Sequence, residues 1–114
     1  MLMTIYHNPR CSKSRAGLAH LETKKVDFEI IDYLKNPISE AELADLLMRL
    51  NKSPQDIIRT QEAIYKSNFK GKEFADEEWI KIMIEHPKLI ERPIIVRDYK
   101  AVLGRPIEEI DTLF

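Results

Sequence analysis

The sequence predicts an α/β fold: a β-α-β opening, a central helical insertion and a closing β-β-α segment. Three observations carry this expectation. Val26, Phe28 and Ile30 alternate with Asp27 and Glu29, the period-2 pattern of a strand. Leu43, Leu46, Leu47 and Leu50 fall at the i, i+3, i+4, i+7 spacing of an amphipathic helix. Ile94-Ile95-Val96 follows Pro93 as a buried-type apolar run late in the chain.

The elements follow in order. Leu2 to Tyr6 is a short apolar-rich strand that stops at the breaker His7-Asn8-Pro9. A helix begins near Ser12 and carries Leu18 and Leu21 on one face. The alternating strand through Phe28 completes a parallel β-α-β unit. Ser39 with Glu42 forms a capping-box pattern in front of the leucine helix. Ser53-Pro54 offers a second N-cap with proline at N1. Thr60 is expected to cap a third helix and Asp76 a fourth, which carries Trp79, Ile80, Met83 and Ile84 and ends at His86-Pro87. Asp98-Tyr99-Lys100 reads as the turn between Ile94-Ile95-Val96 and a strand from Ala101 to Leu103. Gly104-Arg105-Pro106 leads into a last short helix, with Pro106 in its first turn and Glu108 and Glu109 near its positive end. This is the thioredoxin-like order, with helices inserted over about 39–86 of a single domain spanning 1–114.

Composition narrows the function. The 114 residues are 44% hydrophobic and 32% charged, enough to build a packed core. Eighteen Lys and Arg against 19 Asp and Glu give a net charge of -1, which argues against a strongly basic nucleic-acid binder. No apolar run approaches the roughly 18 residues of a membrane span, and no signal peptide is recognisable. With only 3 glycines there is no Gly-rich phosphate loop. His7, His20 and His86 lack metal-ligand spacing, so no metal or bound cofactor is expected. A single cysteine excludes an internal disulfide and fits the cytoplasm.

That cysteine, Cys11, follows a strand and a Pro-containing turn and precedes a helix. The free N–H groups and dipole of a helix N-terminus stabilise a thiolate, the reactive form. A lone cysteine is more often buried and inert, but the flanks here are polar and cationic: Arg10, Ser12, Lys13, Ser14 and Arg15. His7 either tunes the thiolate or simply ends the strand. Position 14 is Ser, so no C-x-x-C exists; position 17 is Gly, so no C-x5-R phosphatase loop exists. A monothiol with no resolving partner needs an external thiol to complete any redox cycle. Arg59, Arg92 and Arg105 each sit at an element edge. Arginine's planar fork suits tetrahedral oxyanions, although each one taken alone reads as an ordinary surface residue. In this topology Arg92-Pro93 lies near the active-site turn and is expected to be cis.

The run His7-Asn8-Pro9-Arg10-Cys11-Ser12-Lys13-Ser14-Arg15 resembles the active-site motif of the glutaredoxin-dependent arsenate reductases, the ArsC family. Three further blocks match in order: Ile57-Ile58-Arg59-Thr60; His86-Pro87 with Glu91-Arg92-Pro93-Ile94-Ile95-Val96; and Gly104-Arg105-Pro106. The resemblance runs from about Thr4 to Phe114. It implies a nucleophilic Cys11, active-site His7, Ser14 and Arg15, and oxyanion-binding Arg59, Arg92 and Arg105. It also implies arsenate as substrate, glutathione as co-substrate and glutaredoxin as partner. Two features depart from the pattern. Longer members continue well beyond Phe114, and Arg10 stands where a small residue is often found. Spx-type transcription regulators, which bind RNA polymerase, belong to the same superfamily. They typically carry the C-x-x-C that Ser14 breaks here, and they lack a match to Arg105-Pro106. A glutathione-dependent thiol enzyme acting on another anion is the remaining alternative.

Overall fold

The computed structural model describes residues 3–114. Strands β1 (Met3–His7), β2 (Phe28–Asp32), β3 (Ile94–Arg97) and β4 (Lys100–Leu103) form one mixed sheet in the order β2-β1-β3-β4. β1 runs parallel to β2, with Met3 beside Phe28 and His7 beside Asp32. β3 is antiparallel to both β1 and β4. Helices α1 (Ser12–Glu22), α2 (Glu40–Leu50), α3 (Ala63–Asn68) and α4 (Asp76–Glu85) complete the α/β order that the sequence predicts. The first expected strand is present from Met3, and Leu2 lies outside the described residues.

The chain divides into two compact units. One holds the sheet and comprises the residues through Asn36 together with Arg92–Phe114; the other is Pro37–Glu91. In the sheet unit, Met3, Ile5, Leu21, Ile95, Val102, Ile110 and Leu113 form the buried core, with Leu18, Val26 and Phe28 packed at its margin. Burying each such side chain stabilises the fold by about 1.5–3 kcal/mol. In the helical unit, Leu43, Leu46, Leu47 and Leu50 are all buried, as their spacing requires. Ser39 Oγ accepts the Glu42 N–H at 3.1 Å, and Asn51 closes α2 in the left-handed region at φ 56°.

Several boundaries differ from expectation, each for a visible reason. Thr60 caps nothing. Ile58 bridges Ile90 and the Arg59 N–H donates to Leu89 O at 2.8 Å, so this stretch stays extended and α3 starts at Ala63 behind Glu62. Asp76 is the first residue of α4 and not its cap. Glu78 Oε1 accepts the Ala75 N–H at 3.1 Å, which fixes the start one residue earlier. The Ser53-Pro54 cap is present with Asp56 closing the box, but it opens a 3-10 turn, Pro54–Ile57. The last helix, Ile107–Leu113, is 3-10, and Pro106 stands at its N-cap. Ile107, Ile110 and Leu113 recur every three residues, the spacing that a 3-10 helix stacks on one face. Lys100 belongs to β4, so the hairpin turns on Asp98 and Tyr99, with Asp98 at φ 55°. Arg92-Pro93 is cis as the topology suggests, and Arg105-Pro106 is cis as well.

Candidate active site

Cys11 is the N-cap residue of α1, with extended backbone at φ -95° and ψ 123°. The turn before it is pinned from within. The Cys11 N–H donates to Asn8 O at 3.0 Å, and the Arg10 N–H donates to Asn8 Oδ1 at 3.0 Å. The breaker residues thus end β1 and present the sulfur at the start of the helix.

The sulfur's surroundings favour charge. Burial pushes the Cys11 thiol up, but the Ser14 N–H, the Arg92 side chain and the Lys13 N–H more than offset it. Its pKa falls from 9.0 to about 7. The side chain makes no ordinary capping hydrogen bond, so the amides act on the sulfur's charge as dipoles. Arg105 Nη2 stands 3.6 Å from the sulfur, and its Nε donates to Arg92 O at 2.6 Å. Arg105 therefore ties the entry of β3 to the Cys11 sulfur. Arg92 itself is buried, which strengthens its field at the sulfur.

His7 and Ser14 are buried side by side, with His7 Nδ1 2.7 Å from Ser14 Oγ. Ser14 Oγ also accepts the Asn8 N–H at 3.0 Å. Burial pushes the His7 pKa below 6.5, against the pull of the Asp32 carboxylate, so the ring is neutral at neutral pH. His7 is the last residue of β1, one position beyond the expected strand end, and its ring meets Ser14, whose backbone N–H favours charge on the sulfur. Arg15 Nη1 donates to Pro9 O at 3.0 Å, and its charge helps lower the His7 pKa.

The groups named so far, Cys11, His7, Ser14, Arg15, Arg92 and Arg105, all belong to the sheet unit. Arg59 belongs to the helical unit. There its Nε reaches Glu62 Oε2 at 3.3 Å, and its Nη1 is buried with no hydrogen-bond partner among the described residues. No group of three or more His, Cys, Asp or Glu placed to hold a metal occurs among the described residues.

A profile of the ArsC family matches residues 6–113. The chain belongs to the ArsC family. The arsenate reductase of Haemophilus influenzae Rd is 40% identical over 112 residues, which span 96% of this chain and 97% of that protein. The uncharacterized protein YfgD of Escherichia coli K12 is 44% identical over 108 residues, 93% of this chain and 91% of its own. The solved structure of the arsenate reductase from Vibrio cholerae superposes with a TM-score of 0.93 at 40% identity, covering 100% of this chain and 98% of the other. The thioredoxin-like fold expected from the element order is that of these ArsC structures.

Sequence reasoning does not single out Asn8 or Asp32. Asn8 is buried and organises the turn through both its carbonyl oxygens. Asp32 reaches His7 only through the parallel register. An Asn directly before Pro in a breaker is the signal that could have marked the first.

Proposed function

We propose that this ArsC-family protein reduces arsenate to arsenite, with Cys11 as nucleophile and glutathione and a glutaredoxin as reductants. The observation that carries the reading is the low-pKa Cys11 sulfur held at a helix N-cap between Arg92 and Arg105. The likeness to relatives named arsenate reductase supports the choice of anion.

In this mechanism the Cys11 thiolate attacks arsenic(V) and displaces an oxygen as water, forming a thiol–arsenate adduct. Arg92 and Arg105 neutralise the oxyanion where charge builds up. Arg59 enters through the family pattern, and its unpartnered Nη1 is a donor that an oxyanion oxygen would satisfy. A glutathione thiol next replaces a second oxygen on arsenic. A glutaredoxin thiolate then attacks the glutathione sulfur. The two thiols leave as a mixed disulfide, and their electron pair takes arsenic(V) to arsenic(III). Water releases arsenite and returns Cys11. The external thiols are needed because position 14 is Ser and no second cysteine exists. No metal, flavin or nucleotide takes part in this scheme.

The test is arsenate-dependent NADPH consumption with glutathione, glutathione reductase and glutaredoxin, comparing wild type with Cys11→Ser. Turnover in the wild type and its loss in the variant are expected. A folded wild type that turns over nothing with several glutaredoxins would move the reading to an Spx-like regulatory module, or to a thiol enzyme for another anion.

A further inference from the structure

The ring of Pro93 is confined between two glycines. A Cβ built on Gly17, in the middle of α1, would stand 2.5 Å from Pro93 Cγ, with Cβ and Cδ of the same ring at 3.5 and 3.6 Å. A Cβ on Gly104 would meet Pro93 Cγ at 3.0 Å, Ile95 Cδ1 at 3.2 Å and Ile110 Cδ1 at 3.4 Å. The ring cannot swing aside as a long side chain would, because it is closed onto its own backbone. Retreat is hindered too: Pro93 O accepts the Gly104 N–H at 2.9 Å, and Arg105 Nε holds Arg92 O at 2.6 Å. α1, which Cys11 caps, thus touches the Arg92-Pro93 segment directly across the space that Gly17 leaves free.

We propose that Gly17 is a positioning residue for the chemistry at Cys11: its absent side chain lets Pro93 seat against α1, and that seating sets the reach from Arg92 and Arg105 to the sulfur. The inference rests on Cys11 being the nucleophile and not on arsenate being the substrate. A Cβ at position 17 pushes the Pro93 ring from α1. The push passes to Arg92 through one peptide bond and to Arg105 through the two hydrogen bonds just named. Cys11 rides on the other side of the same contact. Both guanidinium groups then move relative to the sulfur, and the field that stabilises the thiolate weakens.

A glycine that only makes room for packing would lose stability on Gly→Ala, through overpacking, and leave the thiol's titration where it was. The two roles are therefore separable by measuring the thiol directly.

The experiment is the pH dependence of iodoacetamide alkylation of Cys11 in wild type, Gly17→Ala and Gly104→Ala, alongside thermal unfolding of each. A rise of one pKa unit from about 7 lowers the thiolate fraction at neutral pH from about a half to about a tenth, a roughly fivefold slower alkylation. Gly17→Ala is expected to show at least that loss while still unfolding cooperatively. Gly104→Ala crowds the same ring from its other side at the longer 3.0 Å, so it also shifts Arg92 and Arg105 and is expected to change the alkylation profile by less. It keeps the question answerable should the first variant not fold. A folded Gly17→Ala, or in its absence a folded Gly104→Ala, that retains the wild-type alkylation profile overturns the proposal. Because the readout needs no arsenate, a wild type inactive on arsenate leaves this result independent.

Discussion

At the scale of single residues, the chemistry turns on one sulfur and the cations beside it. With the Cys11 pKa lowered to about 7, alkylation is expected to rise with pH and level off above that value, well before an ordinary thiol at 9.0 would. A titration with iodoacetamide checks this, and an inflection near 9 would remove the activated thiolate. Arg92→Lys keeps a charge but loses the planar fork. It is expected to lower kcat/KM on the order of 10²-fold, the scale of losing one oxyanion donor. Wild-type kinetics in that variant would take Arg92 out of the oxyanion site. The grouping of Cys11 with Arg92 and Arg105 is legible in the sequence because each occupies a block of the family pattern. Asn8 and Asp32 are not. Their roles come from a buried turn and from strand register, which no local pattern records.

Among the elements, α2 shows what a sequence specifies well. Ser39, the leucine spacing and the acidic first turn of Glu40 and Glu42 all favour the same helix in the same frame. Ser39→Ala is expected to cost about 1 kcal/mol, and Ser39→Gly only a few tenths, in urea unfolding. Equal losses would mean that the Glu42 N–H bond is not what Ser39 contributes. The start of α3 shows the opposite case. Thr60 carries a good capping side chain, yet the pairing of Ile58 with Ile90 keeps its segment extended. A contact 32 positions away in sequence outweighed a local preference. The closing segment reads as a helix in the sequence, and its tighter form agrees with the threefold apolar spacing: Ile107, Ile110 and Leu113 stack on one face of a 3-10 helix and would spread around an α-helix.

Across the whole molecule, stability depends on how the end of the chain is held to the sheet unit. Asp111 receives Lys24 Nζ at 2.7 Å and His20 Nε2 at 2.8 Å, both from α1 or the turn after it. Lys24 first and His20 second hold the Asp111 carboxyl below its usual 3.8. A carboxyl with a depressed folded-state pKa adds stability that is complete above its unfolded value and drains as pH falls through the folded one. Asp111→Asn is therefore expected to melt earlier than wild type at neutral pH, with the gap closing below pH 3.8. A gap that persists in acid would assign the loss to packing. The net charge of -1 adds little at this scale, so in the proposed reaction the attraction of the anion to Cys11 is local, set by a few arginines and amides.

Placing β2 at the margin of the sheet has a consequence for the protein as a material. Within the sheet β2 pairs on one side only, and Ile30 on it is 50% exposed, an apolar foothold for a neighbour. Asp27 and Glu29, both exposed, stand just before Ile30, so two such margins meeting would bring carboxylate against carboxylate. Dissolved salt weakens such repulsion between exposed charges. A concentrated stock is then expected to keep longer in dilute buffer than in brine, and light scattering that grows equally fast in both would remove repulsion at this margin as the cause.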